Sequence, residues 1–121
     1  MKTAGTFDKE LMLIETTSAM TSTTTGDAVD FHGDDVYELN YRAVVSGTVS
    51  GTTPKIVLKI QGSDDKSNWH DIVVFPDITK AGEWNEKVRG KGQWRRAVCT
   101  LSGTSPSFGS VKVGVSTGGV F

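Results

Sequence analysis

The residues of this chain able to do acid–base, nucleophilic or metal chemistry are few. There are two histidines, His32 and His70, and a single cysteine, Cys99. Neither histidine is followed at ligand spacing by another, so no paired-imidazole metal motif forms. No Gly-x-Ser-x-Gly elbow presents a serine nucleophile. Gly90-Lys91-Gly92 lacks both the spacing and the following helix of a phosphate cradle. One cysteine excludes an intrachain disulfide and a Cys-based zinc site. It lies in Arg96-Ala97-Val98-Cys99-Thr100-Leu101, which reads as a strand, where cysteine acts as a small buried hydrophobe. The chain is therefore expected not to be an enzyme and to need no cofactor.

Three polar clusters remain. Asp27, Asp30, Asp34, Asp35 and Glu38 together offer oxygen ligands for a hard cation, but their spacing does not match a calcium loop, so a solvated acidic loop is expected. In Asp64-Asp65-Lys66-Ser67-Asn68-Trp69, Asp and Asn can cap their own turn, and Trp69 is expected to fold over the core from the next strand. The segment loosely resembles the Asp-box hairpin of some sialidases and related propellers. Ser67 replaces the box glycine and there is one copy, so it reads as a structural hairpin. Residues 80–96 carry Lys80, Lys87, Arg89, Lys91, Arg95 and Arg96 against Glu83 and Glu86, with Trp84 and Trp94 interleaved. Such a mixture suits single-stranded nucleic acid or a protein interface. The formal net charge of -1 supplies no general attraction to nucleic acid, which favours the protein interface. Trp84, Arg89, Arg95 and Arg96 are its candidate residues. Asp34 and Asp35 are the opposite-sign candidates on a neighbouring copy in a head-to-tail ring.

The elements that must position these residues are strands. Tyr37 to Val45, Ile56 to Ile60 and Val111 to Val115 alternate apolar and polar residues with a period of two. Trp69 to Phe75 is a more continuous apolar run closed by Pro76, and Trp94 to Leu101 is a further strand. Glu83–Val88, Leu11–Glu15 and Ala28–Phe31 are shorter candidates. Residues 46–54 and 102–107 are rich in Gly, Ser, Thr and Pro and read as a loop and a turn. Thr16 to Gly26, a Thr/Ser tract, reads as a solvated loop. The fold class is all-β: an antiparallel β-sandwich, jelly-roll-like, of about eight strands.

A chain of 121 residues suits one domain. Residues 10–121 are expected to form it, with residues 1–9 as a flexible N-terminal arm. No apolar run approaches the roughly 20 residues that span a bilayer, and Leu11 to Ile14 is too short for a signal peptide. Neither export nor a membrane partner is expected.

The order of features resembles a family. Phe7-Asp8-Lys9-Glu10-Leu11-Met12-Leu13 precedes the Thr/Ser tract. A long strand, the Ser-Asp-Asp hairpin leading to Trp69, and Phe75-Pro76 with Ile78 and Gly82 follow. Trp94-Arg95-Arg96-Ala97-Val98, then Leu101 to Phe108 and an alternating valine strand, close the chain. Over most of residues 7–117 this pattern resembles the small jelly-roll decoration, or cement, proteins of tailed bacteriophage capsids. The resemblance implies a virion protein, made in the host cytoplasm, that binds the exterior of an assembled shell. Its partner would be the major capsid protein, with no nucleic acid, and its state on the shell a homotrimer. It also makes the N-terminal segment, with Phe7, Leu11 and Leu13, a candidate capsid contact, since an extended segment can add a strand to a neighbour's sheet. Two alternatives stand beside it: a phage tail or baseplate component, and a carbohydrate-binding module stacking sugars on Trp84, Trp94 or Tyr41. Trp69 and Trp94 occupy strand positions that could instead point inward.

Overall fold

The computed structural model describes residues 7–31 and 38–116, with the backbone alone for residues 7–11. Seven antiparallel strands form one sheet: β1 (Phe7–Glu15), β2 (Thr24–Thr25), β3 (Val29–Asp30), β4 (Glu38–Ser63), β5 (His70–Val74), β6 (Gly82–Arg89) and β7 (Trp94–Ser116). The long strands β4 and β7 pair along nearly their whole length, from Tyr41 opposite Val115 to Ser63 opposite Trp94. β6 pairs with the first half of β4 and β5 with its second half. β1 pairs with the second half of β7, and β2 and β3 pair with its first half. The β4–β7 ribbon thus runs through two layers. The first holds β6, β4, β7 and β1; the second holds β5, β4, β7, β2 and β3.

The ribbon turns from one layer to the other where its sequence is richest in Gly, Ser and Thr. Three register shifts fall between Ser46 and Lys55, and extra residues in one strand bend and twist a ladder. Gly103 takes φ +106, and a Cβ there would lie 2.5 Å from the Thr53 carbonyl oxygen, so only glycine fits this approach. Thr53 and Ser105 also adopt positive φ, of 47° and 50°.

The expected all-β sandwich is formed, with one difference of partition. The expected loop 46–54 and turn 102–107 are stretches of β4 and β7, so four expected strands become two. Glycine and proline mark bends here, because bulges let the ladder continue through the corner.

One core fills the space between the layers. Tyr41, Ala43, Val45, Ile56, Leu58 and Ile60 face inward from β4, and Ala97, Cys99, Phe108, Val111, Val113 and Val115 from β7. Leu13, Met20, Phe31, Phe75 and Ile78 cover its margins. Each fully buried aliphatic or phenyl side chain contributes about 1.5–3 kcal/mol. The alternation in β4 and β7 is what lets one pair of strands line both sides of this core.

The Thr/Ser tract is largely exposed, as expected of a solvated loop, but it is tied to the sheet at three places. Met20 is buried and exchanges backbone hydrogen bonds of 2.8 and 2.9 Å with Phe108, and Thr24–Thr25 form β2. Where regular pairing lapses, threonine hydroxyls take its place: the amides of Leu101 and Val111 donate to Thr23 Oγ1 and Thr16 Oγ1, both at 3.0 Å. β1 begins at Phe7, so residues 7–9 of the expected arm are in the sheet, and residues 1–6 lie outside the described residues.

Candidate interface: a tryptophan and arginine face

The inward positions of the second layer fix which side chains face out. With Ile56, Leu58 and Ile60 in the core, Val57, Lys59 and Gln61 point to the opposite side. With Arg95, Ala97 and Cys99 inside, Trp94, Arg96 and Val98 point out. Cross-strand pairs place Val98 beside Lys59, Arg96 beside Gln61, and Asp71 and Val74 of β5 beside Gln61 and Lys59. Val74, half exposed at 50%, is the large hydrophobic that stands out among the described residues.

Two cations on this side rest on tryptophan rings. The Arg96 guanidinium lies 4.1 Å from the Trp69 ring centroid, and Lys66 Nζ lies 4.3 Å from that of Trp94. Arg96 Nε donates to Gln61 Oε1 at 2.9 Å, and Gln61 Nε2 donates to Asp71 Oδ1 at 2.9 Å. Lys59 Nζ reaches Asp71 Oδ2 at 3.4 Å. The hydrogen bond from Gln61, then the Lys59 charge, hold the Asp71 carboxyl below its usual range.

The hairpin before Trp69 positions Lys66. Asp65 accepts from the backbone amides of Ser67 and Asn68 and from Asn68 Nδ2, each at 2.8 Å, and from Ser63 Oγ at 2.9 Å. The Asn68 amide first, then that of Ser67, hold its carboxyl well below the ordinary range. This is the structural turn that the Asp/Asn spacing suggests, with Lys66 at φ 63. Trp69 leaves it outward, not over the core as expected.

Arg95 secures the other flank. It is fully buried, and its guanidinium donates to the Tyr41 hydroxyl and, at 3.3 Å each, to the carbonyls of Gly90 and Gly92. Its charge also lies 5.1 Å from the Phe31 ring. These oxygens and the ring take the place of water around a cation whose burial is costly. The β6–β7 turn is thereby fixed to the core, and the Gln93 amide donates from it to Asp64 Oδ1 at 3.3 Å.

The outer side of the first layer is different in kind. It carries Asn40, Arg42, Glu83, Asn85, Lys87, Arg89 and Lys112. Here Arg42 pairs with Glu83, Lys112 lies 3.8 Å from Glu15, and Asn40 donates to Asn85 at 3.1 Å. It is a mixed-charge surface, with Val44 also facing out and with Lys87 and Arg89 exposed.

The candidates chosen from the sequence divide accordingly. Arg96 is on the tryptophan face. Arg95 and Leu13 are buried and offer no surface: the alternation of β7 turns Arg95 inward, and Leu13 lies at a register shift in β1 where it and Ile14 are both buried. Trp84 sits opposite Ala43, half-buried and packed on the core, so it is no open platform for a sugar. Tyr41, a second proposed platform, is buried, and Trp94, the third, faces out with Lys66 over its ring. Arg89 is exposed at the end of β6, on the charged layer. Phe7 and Leu11 lie in β1, with only their backbone described, and Asp34 and Asp35 lie outside the described residues. Trp94, interleaved in the basic 80–96 segment, is on the tryptophan face as well, and Trp69, Lys66, Gln61, Val57, Val74 and Val98 are members that the sequence did not single out as interface residues. Both alternations of Trp94–Leu101 carry apolar residues, so either could have faced in.

Among the described residues, no group of three or more His, Cys, Asp or Glu is placed to hold a metal ion. Burial pushes the Cys99 thiol up to about 12, which leaves it a neutral core side chain. No family model, curated protein or solved structure matches this chain.

Proposed function

We propose that the chain is a non-enzymatic structural protein that attaches to the outer surface of an assembled bacteriophage shell and stabilises it, as decoration proteins do. The observation that carries this is the asymmetry between the two outer faces. One is a mixed-charge surface around Val44, with Arg42–Glu83 and Lys112–Glu15 pairs and, among the described residues, no cation on an aromatic ring; the other joins Trp69, Trp94 and Arg96 with Val57, Val74 and Val98. Tryptophan and arginine are enriched at the centres of protein interfaces. The pattern resemblance to decoration proteins supplies the kind of partner, the major capsid protein.

A protein that binds only the assembled state stabilises it by mass action, and three copies on one axis multiply weak contacts. A homotrimer on the shell fits that arithmetic. Quantitative mass spectrometry of purified particles tests the proposal. Copy numbers comparable to the major shell subunit are expected. A handful of copies per particle would move the chain to the tail or baseplate, and none would remove the virion assignment.

A further inference from the structure

Arg96 and Lys66 are cations without a carboxylate partner among the described residues. Each is instead parked on a tryptophan, and the one side-chain acceptor that Arg96 has is Gln61, at Nε. The two terminal nitrogens of its guanidinium remain available as a fork. The neighbouring cations of the same side, Lys59 and Lys55, already have Asp71 and Asp77 at 3.4 and 3.8 Å. On this side of the sheet the cations of the Trp69–Arg96–Trp94–Lys66 row, beside Val57, Val98 and Val74, are thus left for an outside carboxylate, and unlike Lys87 and Arg89 of the other outer face they are held on aromatic rings.

We infer that the segment of the partner seated on this row is an acidic polypeptide, presenting carboxylates to Arg96 and Lys66 and apolar side chains to the valines. A guanidinium held flat on an indole has little rotamer freedom left to lose, so a carboxylate meeting its fork gains a charge-assisted pair at low entropic cost. The identification of the face as the docking surface rests on the function proposed above; the chemistry of the occupant is the added step. Single-stranded nucleic acid fits less well. Bases need free ring faces to stack on, whereas each of these rings already carries a cation.

The test is a titration of the full chain, followed by tryptophan fluorescence at low salt, with short poly-L-glutamate, poly-L-lysine and oligo-dT. Poly-L-glutamate is expected to bind saturably, with affinity that falls as salt rises. Lys66→Gln and Arg96→Gln should each weaken it by about tenfold, the loss of one charge-assisted pair. Lys112→Gln, on the other outer face, should leave it unchanged. Lys66 is exposed, so its variant keeps the test valid if Arg96→Gln unfolds. Absence of poly-L-glutamate binding, equal binding to Lys66→Gln, or tighter binding of oligo-dT would each overturn the inference. No shell enters this titration, so its failure is separate from failure of the copy-number test.

Discussion

Arg95 and Arg96 are consecutive on β7 and point to opposite sides of the sheet: Arg95 lies in the core against Tyr41, and Arg96 lies on the outer face over Trp69. The first cation fixes the turn that flanks the face, and the second equips the face. The two roles predict separable consequences.

Tyr41→Phe removes an acceptor from a buried guanidinium and adds nothing in its place. Burial already raises the Tyr41 hydroxyl above its ordinary value, against the opposing pull of Arg95, so the neutral hydroxyl is the form that the core holds. We expect the variant to lose about 1–3 kcal/mol in urea unfolding, with no change in slope. An unchanged midpoint would mean that the Gly90 and Gly92 carbonyls alone solvate Arg95.

Cys99 makes stability depend on alkaline pH. Its thiol is raised from 9.0 to about 12, so the folded chain binds a proton that the unfolded chain releases. That contribution is fully present below pH 9 and is lost as pH rises toward 12. Relative to Cys99→Ala, the parent chain should lose stability across this window at up to about 1.4 kcal/mol per pH unit. Parallel curves for the two proteins from pH 8 to 10.5 would contradict the burial described.

Gly62 faces the Lys91 carbonyl so closely that a Cβ would stand 2.1 Å from its oxygen and 2.9 Å from Ile72. Gly62→Ala must displace the β6–β7 turn or β4. It is expected to cost about 1–3 kcal/mol and to lower the melting temperature by several degrees, measured by circular dichroism.

These consequences show what the sequence made legible. The all-β class, the single core and the Asp65 hairpin follow from alternation and turn chemistry. Tyr41, Ile56, Ile60 and Val113 were readable as core because their polar neighbours settle the face. The assignment of Trp94 and Arg95 was not, because the choice lies between tryptophan and arginine inside. Ala97 and Cys99, small and apolar, decide it, and Tyr41 with the carbonyls of the adjoining Gly90–Gly92 turn makes the buried charge tolerable. Tyr41 lies 54 residues away, beyond any local pattern. Trp69 escaped for a different reason: a register shift between Ile60 and Gln61 changes the side on which β5 places its residues.

The sheet edges carry their own prediction. Strand β6 is an edge eight residues long, paired with β4 without a bulge, and so a template for another chain. Glu86 pairs with the inward-facing Tyr41, which puts a charge on the core side of this edge. Glu86→Val should keep the fold and raise self-association, seen by light scattering at high concentration. Unaltered monodispersity would mean that other features guard the edge.

The proposed function requires that the tryptophan and arginine face, and not the charged one, docks. Val74→Asp places a charge at the exposed apolar position of that face, and Lys87→Gln removes one from the opposite layer. Sedimentation of each folded variant with shells stripped of the native chain measures their affinities side by side. The account predicts that Val74→Asp binds at least about tenfold more weakly while Lys87→Gln stays within about twofold of the parent. Equal binding of Val74→Asp and parent, or a larger loss for Lys87→Gln, would contradict it.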